Sequence, residues 1–117
     1  MKNKFVLDKA AILERLGGDE DIFAMMLAMY LQDVDRYSAN IAAALASGAP
    51  ADVQREAHTI KGLLATFSDD FGAAEASAME RKAKAGDVDG LENSVQALQA
   101  RLYYVAEVLK AEISLSR

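Results

Sequence analysis

The feature that most restricts the fold lies in the last third of the chain, where Leu91, Val95, Leu98, Leu102, Val105 and Leu109 follow one another at alternating steps of four and three. Those steps place all six side chains on one stripe of an α-helix, and the period of two that a strand requires does not fit them. An apolar stripe about five turns long has to be covered by elements of similar length. The chain supplies them. Phe23, Met26, Leu27, Tyr30, Val34, Tyr37, Ile41 and Leu45 repeat the spacing over a second long segment, and Val53, Ala57, Ile60, Leu64 and Phe67 repeat it over a third.

Punctuation between the stripes sets the elements. Asp8 suits the N-cap of a short helix over about 8–16, closed by Gly17-Gly18, and Asp19 starts a long helix over about 20–47. Gly48-Ala49-Pro50 reads as a stop followed by a start, because glycine suits the residue after a helix and proline suits its first turn. A third helix spans about 50–68, and Asp69-Asp70 are placed to cap a fourth over about 70–85. The fourth is rich in alanine (Ala73, Ala74, Ala76, Ala78), which lets its neighbours come close, and Gly86-Asp87 ends it before a last helix over about 88–113. Four long helices with short connections pack antiparallel to their sequence neighbours. The expected fold is all-α: an up-down-up-down four-helix bundle, one domain over residues 1–117, with the short N-terminal helix across one end.

Composition narrows the function. A net charge of −5 repels a phosphate backbone, and the only basic cluster is Arg81-Lys82-Ala83-Lys84, so nucleic acid is not an expected partner. No apolar run approaches the roughly 20 residues that span a bilayer, and none follows the N-terminus as in a secretory signal, so a cytoplasmic protein away from the membrane is expected. With no cysteine and one histidine, thiol chemistry is excluded and no metal site built on cysteine or several histidines is expected.

That single histidine, His58, points about 140° away from the centre of the third stripe, toward solvent. Gln54, Lys61, Gly62 and Ala65, at i−4, i+3, i+4 and i+7, share its face. A neutral imidazole is a good nucleophile near pH 7, and an ammonium one turn away neutralises charge on phosphoryl oxygens. Glycine inside a helix costs about 1 kcal/mol relative to alanine, so Gly62 suggests that another molecule approaches the backbone here. Helix packing and ordinary solvation are the plainer readings of the same glycine, lysine and histidine.

The string Ala57-His58-Thr59-Ile60-Lys61-Gly62 resembles the Ala-His-x-Leu-Lys-Gly signature of histidine-containing phosphotransfer (HPt) domains. The likeness extends to Ile12-Leu13, to Leu16-Gly17-Gly18-Asp19 and to Gly86-Asp87. It implies that His58 is phosphorylated and that Glu80, 22 residues further on, bonds the imidazole from the neighbouring helix and leaves Nε2 free to attack. The family commonly has glycine ten residues after the histidine, where this chain has Ser68 within Phe67-Ser68-Asp69, and Gly72 is expected to relieve that turn instead. Leu63 and Leu64 are expected to shape an apolar rim offered to partners.

The function implied by the resemblance is transfer of a phosphoryl group from the phospho-aspartate of a response-regulator receiver domain to His58, and on to another receiver. Partners are then receivers, a hybrid sensor histidine kinase, or both. No nucleotide loop or kinase signature occurs, so no ATP-dependent activity is expected; no cofactor is expected either, magnesium residing on the receiver. A monomer is expected, with dimerisation through the last helix as the alternative if part of its stripe stays exposed. Two other functions fit the same residues: a receiver-binding adaptor that carries no phosphate, and a structural bundle in which His58 is a bystander.

Overall fold

Local chemistry decides where each helix starts and stops. The computed structural model describes residues 3–115, and among them the regular elements are α1 (Lys9–Arg15), α2 (Glu20–Ser47), α3 (Pro50–Thr66), α4 (Asp70–Lys84) and α5 (Glu92–Leu115). Asp8 and Asp19 accept hydrogen bonds from the N–H groups of Ala11 and Ile22, capping α1 and α2. Gly48 ends α2 with a left-handed φ of 72°, and Pro50 opens α3. Gly90 is also left-handed, at φ 73°, so α5 starts at Glu92 and not at 88; it then runs to Leu115, past 113.

The helices pack as an antiparallel bundle in which α3 lies between α2 and α4, and α5 closes the ring against α2 and α4. Their inward stripes form one core. All six residues of the α5 stripe are buried, so that stripe is used up inside the bundle and none of it remains to pair with a second copy. The Tyr30 hydroxyl donates to the Leu102 carbonyl at 2.7 Å, and its ring meets Phe67 edge-on at 5.5 Å. At about 42 Å and 36 Å, α2 and α5 outreach α3 and α4. Residues 3–8 and α1 pack at the end where α3 passes into α4, with Phe5 and Ile12 buried in the shared core. There Arg15 of α1 donates to the Thr66 carbonyl at 2.9 Å and to Ser68 Oγ at 3.2 Å.

The α3–α4 turn differs from the expectation in two ways. Ser68 itself takes the left-handed conformation, φ 63°, with its N–H donating to the Ala65 carbonyl and that of Asp69 to the Leu64 carbonyl. This is the double bond pattern that usually places a glycine after a helix, and here a serine occupies it, its hydroxyl bonded by Arg15. It also stops α3 at Thr66, short of 68. Gly72 does not relieve the turn: it lies inside α4, where an added Cβ would come within 2.1 Å of Asp69 Oδ2 and 2.8 Å of Leu64 Cδ1.

Asp69 stands before α4 yet forms no side-chain cap with it. Its carboxylate instead accepts two hydrogen bonds from Arg101 of α5, from Nε to Oδ2 at 2.9 Å and from Nη2 to Oδ1 at 2.6 Å. Both side chains are buried, 1% and 7% exposed, so the pair is shielded from water. The remaining nitrogen, Nη1, donates to the Asn3 carbonyl, and the rings of Phe71 and Tyr104 flank the guanidinium at 4.9 and 5.1 Å. Arg101→Met strands the Asp69 carboxylate and is expected to cost about 3–5 kcal/mol in urea unfolding. The Asp69→Leu/Arg101→Met double variant should lose clearly less; a double loss equal to the sum of the two single-variant losses would show that the pair is not coupled.

Candidate functional site

Because α3 buries Val53, Ala57, Ile60 and Leu64, its opposite face is left to solvent, and His58 stands on it with 67% of its side chain exposed. Gly62 and Ala65 are exposed on the same face, and Gln54 and Lys61 are half-buried. Glu80, from α4, leans across to meet this face with only 17% of its side chain exposed. Antiparallel packing puts its carboxylate between two donors. Oε2 lies 2.8 Å from His58 Nδ1, and Oε1 accepts from Lys61 Nζ at 2.7 Å.

The shared carboxylate sets the state of the imidazole. The Lys61 ammonium, ahead of the His58 bond, holds the Glu80 carboxyl below the ordinary carboxylate range, while its partial burial opposes them. An ionised carboxylate only accepts hydrogen bonds, so the proton of a neutral His58 ring must lie on Nδ1. The Nε2 lone pair then points away from Glu80 and is available as a nucleophile. Lys61, tied to Glu80, lies one helical turn along α3 from His58 and is a ready cation for an anionic group arriving at this face.

Gly62 is not explained by packing. An added Cβ there meets nothing within 4 Å, and the residue lies in the regular helix, so the fold does not require glycine. Its bare backbone is open to solvent one turn from His58. Of the two leucines expected at the rim, Leu64 is fully buried in the core, because it lies on the inward stripe; Leu63 is only half-buried.

Two surface features were not anticipated from sequence. A shallow depression of about 460 Å³ lies beside His58, lined by Ala51, Gln54, Arg55, Thr59 and Glu80. Arg55 and Thr59 join it because they flank His58 on the outer face, a placement readable from the helix period. On the other flank of α3 an apolar groove of about 140 Å³ runs against α2, walled by Met26, Met29, Tyr37, Leu63 and Phe67 among others. The exposed Ile22, Met25 and Met29 extend this apolar surface along α2 at steps of three and four.

Glu80 gives the site a testable titration. Its 13C carboxyl signal should shift with a midpoint below 4.5, and Lys61→Met should move that midpoint upward by removing the leading cause of the depression. With the folded-state pKa below the unfolded one, the stabilisation from Glu80 is complete above about pH 4.5 and is lost as pH falls through the folded-state value. An unchanged midpoint in the variant would mean that Lys61 does not hold the carboxylate.

Comparison with known proteins gives a match to the family model described as Hpt domain over residues 25–108. The matched span runs from the first turns of α2 into α5 and contains His58, Lys61, Gly62 and Glu80. No curated protein and no solved structure matches the chain at a significant level.

Proposed function

Since the chain belongs to the Hpt domain family, the phosphotransfer domains of two-component systems, we propose that it is a phosphocarrier whose relay residue is His58. In this reading His58 Nε2 attacks the phosphorus of an aspartyl phosphate on a receiver domain, in line with the departing carboxylate. The N–P bond forms as the P–O bond to aspartate breaks, and the released carboxylate stays on the receiver. The ring keeps its Nδ1 proton and becomes cationic, so the Glu80 carboxylate at 2.8 Å stabilises the product as well as orienting the reactant. Lys61 neutralises part of the phosphoryl charge. The reverse reaction hands the group to an aspartate on a second receiver.

The observation that supports this reading best is the engagement of His58 Nδ1 by Glu80 on a ring that is otherwise open to solvent. A buried or doubly bonded histidine has no nitrogen to offer, and an unpartnered one has no fixed tautomer. Docking needs only a modest, transient patch around His58, with the bare backbone at Gly62 letting the receiver approach closely. The magnesium that receivers use is assigned to the partner, and the carrier itself needs neither nucleotide nor cofactor. Among the described residues, no helix is long and apolar enough to cross a membrane.

The test is to incubate the protein with phosphorylated receiver domains of the source organism and to follow acid-labile label. At least one receiver should label the wild type within minutes. His58→Gln should take none while its unfolding free energy changes by no more than about 0.5 kcal/mol, since the side chain is exposed. Gly62→Ala should gain about 0.5–1 kcal/mol of stability from helix propensity and yet accept phosphate more slowly. A stable receiver complex with no label on His58 would instead identify an adaptor.

A further inference from the structure

Three of the chain's five methionines, Met25, Met26 and Met29, fall within two turns of α2. Met25 and Met29 are 60% and 55% exposed, whereas Met79 is buried in the core at 3%. Side chains exposed to this degree contribute little to folding, and a helix surface has no need of thioethers. Yet these three are not scattered. Met26 and Met29 form one wall of the apolar groove whose opposite wall is Leu63 of α3, and Met25 lies beside it.

The groove lies close to the relay histidine. Leu63 and Thr66, on its α3 side, are five and eight residues beyond His58, about 7.5 and 12 Å along the helix axis. Thr66 is about 80° round the helix from His58 and Leu63 about 140°, so a partner that buries a standard patch of about 800 Å² centred on His58, a disc of about 16 Å radius, reaches the groove at its Thr66 edge. The apolar surface is continuous over Ile22, Met25 and Met29, the composition that suits the dry centre of a contact.

We infer that Met25 and Met29 form an oxidation-sensitive edge of the receiver-docking face, through which peroxide slows phosphotransfer without touching His58. The inference rests on the relay reading given above. Hydrogen peroxide delivers one oxygen atom to each thioether, giving the sulfoxide and water; the sulfur is oxidised and the peroxide reduced. The product replaces a pliable apolar side chain with a strongly polar S=O group, which must be desolvated whenever the receiver covers it. Because both sulfur-bearing side chains project from the surface, helix packing is unaffected and only docking suffers. Reduction of the sulfoxides by methionine sulfoxide reductases restores the thioethers, so the effect is reversible.

The experiment treats the full chain with dilute hydrogen peroxide and maps oxidation by peptide mass spectrometry. Met25 and Met29 should oxidise before Met79. Two phosphoryl donors are then compared: the receiver that labels the untreated protein fastest, and phosphoramidate, a small molecule that needs no docking surface. Oxidation should slow labelling by the receiver about tenfold, leave labelling by phosphoramidate unchanged, and be reversed by the reductases. The Met25→Leu/Met29→Leu variant, whatever its starting rate, should lose no further activity on treatment. Equal receiver-dependent rates before and after oxidation of both residues would overturn the inference, as would a peroxide-sensitive double variant. If no receiver labels even the untreated protein, the relay reading itself has failed and the inference falls with it.

Discussion

The buried pair of Asp69 and Arg101 is the constraint on which the arrangement of the bundle depends. It joins the turn between α3 and α4 to the middle of α5, and the same guanidinium reaches the backbone of Asn3, so one side chain fastens three separate parts of the chain. A buried ion pair adds little net stability after desolvation, but it admits few geometries. Gly72 tightens the restriction, since the Asp69 carboxylate occupies the space a Cβ would need. With α4 pinned at its start and antiparallel to α3, its register against α3 is set. That register brings Glu80, eleven residues after Asp69, beside His58.

The site then works through unequal sharing. Glu80 serves two donors with its two oxygens, and each contact has a separate consequence: the lysine keeps the carboxylate ionised, and the ionised carboxylate keeps the imidazole proton on Nδ1. Lys61 is therefore tied to the same carboxylate that engages the imidazole. This economy suits a carrier. A group that must give up its phosphoryl as readily as it accepts it needs a fixed tautomer and a nearby charge, but no deep pocket to bind either state strongly.

Much of this was legible in the sequence because it depends on period and punctuation. The five helices, the caps at Asp8 and Asp19, the break at Gly48-Ala49-Pro50 and the outward direction of His58 all follow from local rules. The α3–α4 turn was not legible, for a physical reason. Asp69 reads locally as a helix cap, and only the three-dimensional approach of Arg101, 32 residues away, diverts its carboxylate into the interior. Gly72 and Ser68 exchanged expected roles for the same cause: close packing claimed the glycine, and a contact from α1 supported the left-handed serine. Leu64 was assigned to a rim although its place on the inward stripe already put it in the core. Glu80 was named from family likeness and not from spacing, since no local pattern links residues 22 apart on different helices.

In the proposed relay, Glu80 fixes the His58 proton on Nδ1 so that Nε2 receives the phosphoryl group. The most direct measurement is a long-range 1H–15N correlation spectrum of the uniformly 15N-labelled protein, recorded before and after charging by a phosphorylated receiver. With one histidine in the chain, a single imidazole spin system reports the chemistry. The account requires a protonated Nδ1 before charging and phosphorus coupled to Nε2 afterwards, with the Nδ1 proton retained. Phosphorus on Nδ1, or label on the protein with an unaltered imidazole, contradicts it.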